Sequence, residues 1–542
     1  MTRIASKIRP FHGLVGVTAL ALFAGGRDVR AAEINARVLV AEELTHAFEY
    51  DAASRELDLA GAPDDPDVVV ERARIELHKG NCDAAAAMLM RPAIAKVERA
   101  EEVSGVAKGC ARATASTILE KDDSAGVEVR FQDENDRALF PGIVDTVVKA
   151  REAIARDLGT DFPKPTRVVV VRDALTLSVM TGLPYSAAQT TGTVAVAKWG
   201  RVTMISPRAA HHGYPWKDTI AHELTHLAVT RITHDHAPLW LQEGLAKHEE
   251  SRWRPAGPFD GKPTPEAIVL RGIDKKLDLP LDKLGMSLAM LPSPEAAMVA
   301  YCEVTSFVRR LDAQGPDTLK KLLREMAHTA DASQALQKTT GQDLPTWDKA
   351  WRTWLAEQPR GPLPSYFGLN DDHVDKDLAQ TRDHARLAEL LLERKHPDAA
   401  LTELAKIKED AFAMPELRAL RARALLAADK KEQALADVND PNDVIASYGP
   451  WWAVRGVLQR AGATGGGAPD TSEPSFAEAV SQDPFGVMSA CRSAPDLSPE
   501  PRPAPADPAG KAGTGQPQPA APILDPSTEA LCQAARSWTF LP

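Results

Sequence analysis

Between residues 127 and 205 the apolar positions follow the short periods of strands, and on either side they recur at the period of helices. Val127-Glu128-Val129-Arg130-Phe131 alternates strictly, as a half-buried strand does, and Val168 to Val171 is a continuous β-branched run suited to a central strand. A helical stretch over Gly142 to Leu158 separates them. Thr193 to Ala197 and Arg201 to Ile205 flank Lys198-Trp199-Gly200 and predict a hairpin. Pro215 to Ile232 then reads as a helix, with Pro215 near its first turn and Ile220, Leu224, Leu227 and Arg231 along one side. A small mixed sheet followed by helices predicts an α+β domain over residues 127–358.

The flanks lack strand periodicity. Residues 32–124 are Ala-rich and helical in pattern, with small residues at Ala73, Gly80 and Ala85. Within 372–440, Ala388 and Ala400 are followed 34 residues later by Ala422 and Ala434, the period of tetratricopeptide-type helical repeats. Two ordinary helical hairpins fit the same spacing, and two copies alone bury no continuous core, so this segment is expected to lean on its neighbour. The N-terminal helical region fits either a repeat module or an inhibitory prosegment. Residues 441–542 lose periodicity, and Ser498 to Pro526 is rich in Pro, Ala and Gly, which predicts an irregular, largely disordered tail.

The first 31 residues change how the charge is read. Arg3, Lys7 and Arg9 precede an apolar run from Leu14 to Ala24 and small residues near Ala31, the pattern of a cleaved secretory signal. The run is short of the 20 or so residues needed to span a bilayer; the other reading is an uncleaved anchor helix. Export would place the protein in a bacterial periplasm or outside the cell, with no integral membrane segment after cleavage. The whole chain carries 64 Lys and Arg against 75 Asp and Glu, a formal charge of −11. Cleavage removes five basic residues (Arg3, Lys7, Arg9, Arg27, Arg30) and one acidic one (Asp28), which leaves −15. With no long basic run, nucleic acid is excluded as the main partner. Five cysteines in 542 residues make no disulfide framework, but an exported chain could pair Cys82 with Cys110 and Cys491 with Cys532, leaving Cys302 apart.

The chemistry concentrates in His222-Glu223-Leu224-Thr225-His226. Spacing of i, i+4 stacks two imidazoles one turn apart on one helix face, where both can bind one metal ion. Glu223, beside the first of them, can take a proton from water. Zinc suits neutral imidazoles and lowers the pKa of a bound water to about 7. Only 14 histidines occur in the chain, so the pattern is a rare coincidence. A catalytic zinc needs a third protein ligand, and Glu243 follows in Pro238-Leu239-Trp240-Leu241-Gln242-Glu243-Gly244-Leu245-Ala246, where Gly244 and Ala246 would let two helices approach closely. Among the other nearby histidines (His211, His212, His234, His236, His248), His248 is the candidate for supporting a ligand, since it lies just over a turn beyond Glu243.

These two motifs resemble the gluzincin zinc metallopeptidases of the MA-like group, with a thermolysin-like catalytic domain. The resemblance implies one zinc per chain held by His222, His226 and Glu243, with Glu223 as general base, and hydrolysis of a protein or peptide substrate. It also implies an edge strand that pairs with extended substrate, here Arg201 to Ile205. Tyr301, in Ala300-Tyr301-Cys302-Glu303, falls where family members place an oxyanion-stabilising tyrosine; a core tyrosine with a satisfied hydroxyl is the other reading. Two departures stand out. The Gly-x-Met-Glu-Asn signature of related aminopeptidases is absent, which favours an endopeptidase, and Lys247 stands where thermolysin-like members have aspartate. The competing reading is a non-catalytic zinc scaffold that binds polypeptides in the cell envelope, with the helical repeats contacting a protein partner in either case.

Overall fold

The computed structural model describes residues 26–486 apart from 95–96, 163, 188–191, 211–212, 257–259, 284–287, 289–290, 362, 364–368, 370–377, 439–447 and 467–470. The leader through residue 25, His211, His212, the Cys491/Cys532 pair and the Pro-rich stretch from Ser498 to Pro526 lie outside the described residues. The chain divides into two compact units, Met1–Lys108 and Gly109–Pro542.

The first unit holds α1 (Gly26–His46), α2 (Tyr50–Leu59), α3 (Pro66–His78) and α4 (Cys82–Leu89), which pack as consecutive pairs around Val38, Leu57, Val68 and Ile75. Each pair turns in the same way. A fully buried alanine (Ala41, Ala73) is followed seven residues later by a left-handed residue (Phe48, Gly80) and five after that by another fully buried alanine (Ala53, Ala85). The small side chains let the two helices touch, and the left-handed residue reverses the chain between them.

After α5 (Glu98–Thr114), the second unit builds a five-stranded mixed sheet from β1 (Ile118–Asp122), β2 (Val127–Phe131), β3 (Thr166–Val171), β4 (Ala195–Lys198) and β5 (Arg201–Ile205), in the order β1-β2-β3-β5-β4. The inner pairs β2/β3 and β3/β5 are parallel, and the outer pairs are antiparallel. The β-branched β3 occupies the centre, as its pattern predicts, and α6 (Phe140–Leu158) provides the crossover from β2. Trp199 and Gly200, both with positive φ, make the tight turn that joins Lys198 to Arg201.

Two expectations are corrected here. The region before Ser124 is not wholly helical, because Ile118–Asp122 is a strand; Glu120, Lys121 and Asp122 suit a sheet edge and erase the apolar alternation. The edge beside the motif helix is β4, not Arg201 to Ile205. All five residues of β5 are buried between β3 and β4, whereas β4 exposes Lys198 and only half buries Val196 and Ala197.

Following α7 (Ala174–Thr181), the site helices α8 (Trp216–Thr233) and α9 (Leu239–Glu249) pack on each other. The first also lies against α6, β4 and β5. Behind them come α10 (Pro265–Asp274), α11 (Pro294–Asp312), α12 (Thr318–Met326), α13 (Ala332–Thr340) and α14 (Leu344–Ala356). Phe307 on α11 centres this core, with T-shaped contacts to Trp240 at 5.3 Å and Trp351 at 5.8 Å.

Three helix pairs complete the described chain: α15 (Leu378–Glu393) with α16 (Pro397–Leu404), α17 (Pro415–Ala427) with α18 (Lys431–Val438), and α19 (Gly449–Gly466) with α20 (Glu473–Gln482). The first two repeat the offsets of the N-terminal unit, as Ala388, Lys395, Ala400 and Ala422, Asp429, Ala434, with fully buried alanines and positive φ between them. Thirty-four residues after Ala422 stands Gly456, where a Cβ would meet Phe476 at 2.8 Å. The irregular tail expected over 441–542 is thus wrong for Gly449–Gly466 and Glu473–Gln482; glycine there marks close helix contact around buried Trp451, Trp452 and Phe476. Cys302 is free.

This last pair leans on the site. Tyr214 N donates to the Gln482 carbonyl at 3.1 Å, and Gly213 leaves no room for a side chain, since a Cβ would stand 1.8 Å from that oxygen. The Tyr214 hydroxyl donates to the Ile205 carbonyl, so the loop entering α8 is fixed to β5 and to α20 together.

Candidate metal centre

Pro215 caps α8, and the helix runs unbroken to the left-handed His234. His222 and His226 sit on its half-buried face, one turn apart, with their rings in T-shaped contact at 4.8 Å. On α9, Glu243 points back between them. His222 Nε2 lies 3.2 Å from His226 Nε2, and each lies 3.5 Å from Glu243 Oε2. Among the described residues this is the cluster able to hold a metal ion.

The three distances test the fit. Zinc bonds of 2.0–2.1 Å at tetrahedral angles put neighbouring ligand atoms about 3.3–3.4 Å apart. The observed triangle has that size, and Glu243 Oε2 is buried without a hydrogen bond, an orphaned acceptor that a cation would satisfy. The donor set therefore fits a zinc-sized ion with one tetrahedral position left open.

The outward ring nitrogens are both engaged. His222 Nδ1 lies 3.3 Å from Glu250 Oε2, and Lys247 Nζ grips the same carboxylate at 2.8 and 3.1 Å. His226 Nδ1 lies 3.3 Å from Gln242 Oε1, and Gln242 Nε2 reaches Thr230 Oγ1 at 3.4 Å. Acceptors at Nδ1 favour the tautomer with Nε2 free to face the ion. Burial disfavours a charged His222, yet Glu243 and Glu250 outweigh it and push the pKa up to about 9. Burial likewise opposes ionised Glu250, but Lys247 and His222 hold it down to about 2. Glu243 is held well below the usual carboxylate range against its own burial by His226 and His222.

Glu223 is buried at 7% exposure, and burial raises its pKa against the opposing pull of His226 and His222. The Ala197 N–H of β4 donates to its carboxylate, so the general-base candidate is fixed to the sheet edge. Tyr301 on α11 faces the same carboxylates: burial first, then Glu243, Glu223 and Glu250, keep its hydroxyl protonated. The Lys247 ammonium stands 5.8 Å from the Tyr301 ring centre.

The structure brings all five sequence-predicted residues together and relocates two neighbours. His248 turns away to Asp312, at 3.3 Å, and supports neither imidazole. Gly244 does not serve contact between α8 and α9; its missing Cβ makes room for α11, where it would meet Val308 Cγ2 at 2.5 Å and the Val304 carbonyl at 2.7 Å. A backbone oxygen cannot rotate aside, so Gly244→Ala is expected to cost about 1–3 kcal/mol in denaturant melts, and an unchanged midpoint would contradict the packing. Sequence reasoning noted Lys247 as a departure and quoted Gln242 in the motif without giving either a role, and it did not single out Glu250. The available signal was spacing, because Glu243, Lys247 and Glu250, the last at the C-cap of α9, fall at i, i+4 and i+7 on one helical face.

Neither the curated proteins nor the solved structures contain a match to this chain. Residues 146–357, which carry β3 to β5, both site helices and every residue of the centre, match the family described as the Peptidase MA superfamily.

Proposed function

We propose that residues 127–358 form a zinc-dependent peptidase of gluzincin type, exported and acting as an endopeptidase on proteins or peptides outside the cytoplasm. The observation that carries this reading is the triangle of His222, His226 and Glu243 with buried Glu223 beside it. His222, His226 and Glu243 would hold the ion. Zinc bound there would supply Lewis acidity, activating water near neutral pH and polarising the scissile carbonyl. Glu223 then takes a proton from the attacking water and passes it to the leaving amine, so that water and one peptide bond become a carboxylate and an amine. Its raised pKa suits both directions of transfer. The protonated Tyr301 hydroxyl donates to the oxyanion that develops on the attacked carbonyl. The backbone of β4, which at the sheet edge pairs with β5 alone among the described strands, offers extended substrate a strand to pair with.

The repeated alanine-turn-alanine geometry of both helical flanks supports tetratricopeptide-like hairpins that bind a protein partner. It equally supports the second reading, a zinc scaffold that holds polypeptides without cleaving them. One measurement separates the two: metal content, and cleavage of an unfolded protein before and after chelation and zinc restoration. One zinc per chain with chelator-sensitive, zinc-restored cleavage is the expected result. One zinc without cleavage supports the scaffold, and no bound metal overturns both.

A further inference from the structure

The Lys247–Glu250 pair has the ordinary look of an i, i+3 ion pair, with side chains about a third exposed. Such pairs contribute little to stability. Its position is less ordinary. A single oxygen, Glu250 Oε2, stands 2.8 Å from Lys247 Nζ and 3.3 Å from His222 Nδ1, while Lys247 also reaches Glu250 Oε1 at 3.1 Å. The ammonium therefore bridges both carboxylate oxygens and fixes the direction in which Oε2 faces the imidazole.

The other imidazole is treated differently. Gln242, a neutral amide, supplies the acceptor for His226 Nδ1 and is itself held by Thr230 at 3.4 Å. Two ligands of one candidate ion thus carry unequal supports, an anion for His222 and an amide for His226. An anionic acceptor makes its imidazole the stronger donor toward a metal, and partners of this kind affect metal affinity 10–100-fold.

We propose that Glu250, aimed by Lys247, is a positioning residue that fixes the tautomer and orientation of His222 for metal binding, and that Lys247 acts only through Glu250. This rests on the metal-centre reading above. In this chain the acidic support arrives seven residues after Glu243, with a lysine at the fourth, so the cation is part of the support.

Glu250→Gln and Lys247→Gln both destroy the ion pair, but only the first removes the anion from His222. Chelator competition for zinc, the visible spectrum of the cobalt-substituted protein, and melting of the metal-free protein are measured on the full mature chain and both variants. The expected result is a 10–100-fold loss of zinc affinity and an altered cobalt spectrum in Glu250→Gln, a loss at least several-fold smaller in Lys247→Gln, and similar metal-free melting of the two variants. Equal affinities in both variants, or wild-type affinity in Glu250→Gln, overturn the proposal. Should Glu250→Gln not fold, Glu250→Asp keeps the charge toward Lys247 while drawing it back from Nδ1; a loss of threefold or more supports the assignment and wild-type affinity overturns it. A wild-type chain that takes up neither zinc nor cobalt refutes the metal centre itself, which distinguishes that failure from this one.

Discussion

Glu223→Gln is expected to lower kcat/KM for peptide cleavage by about 10²–10⁴-fold while leaving one metal ion per chain. The amide has the shape of the carboxylate and can still accept from the Ala197 N–H, so the edge strand and α8 keep their registration. It cannot accept a proton from water or return one to the leaving amine. Glu223 is not one of the three atoms in the metal triangle, so the ion's ligands are untouched. Loss of rate with retained metal is a signature that no structural role of a buried carboxylate would give. Cleavage rates on an unfolded protein, set beside metal analysis of the same samples, decide it. A variant that cleaves at the wild-type rate removes Glu223 from the mechanism and with it the peptidase reading.

His222, Glu223 and His226 were legible because their spacing is local, whereas Glu243 stood out as the carboxylate of the following helix and Tyr301 entered only through the family resemblance. Two histidines at i, i+4 face one way on any helix, and α8 kept the phase that Ile220, Leu224 and Leu227 imply. The central strand was legible for a similar reason, since Val168 to Val171 has no polar position to expose. What escaped depended on neighbours distant in sequence. Whether β4 or β5 of a hairpin joins β3 is decided by which strand buries both faces, and local alternation does not report that. Gly244 announced a close contact but not its partner, which proved to be Val304 and Val308, some sixty residues away. Gly449 to Gly466 looked like loop because glycine weakens helix propensity, and only the packing of Gly456 on Phe476 shows its use. The role of Glu250 was hidden for another reason: surface-type i, i+3 pairs are common, and only the imidazole at 3.3 Å sets this one apart.

Metal uptake by the metal-free protein is expected to release a proton, and its apparent affinity to rise about tenfold from pH 7 to 8 and about fivefold from pH 8 to 9, about 50-fold in all. The cause is His222, whose pKa in the folded, metal-free chain is about 9 against an ordinary 6.5, because Glu243 and Glu250 favour its charged form more than burial disfavours it. A metal needs the neutral ring, so well below pH 9 nearly every chain must lose that proton to bind. The sign for stability runs the other way. A group whose folded pKa is raised stabilises the folded chain fully below the unfolded value of 6.5 and loses that contribution as pH climbs through 9. Glu250, held at about 2 against an ordinary 4.5, stabilises above 4.5 and loses its contribution as pH falls through 2. These two groups together place the firmest metal-free state between pH 4.5 and 6.5, while metal binding tightens toward pH 9. Melting of metal-free and zinc-loaded protein across that range, together with calorimetry in buffers of different ionisation enthalpy, measures both limbs. A zinc affinity that stays flat from pH 7 to 9 with no proton released would show that His222 is already neutral in the metal-free chain, and that Glu243 and Glu250 do not act on it as their distances imply.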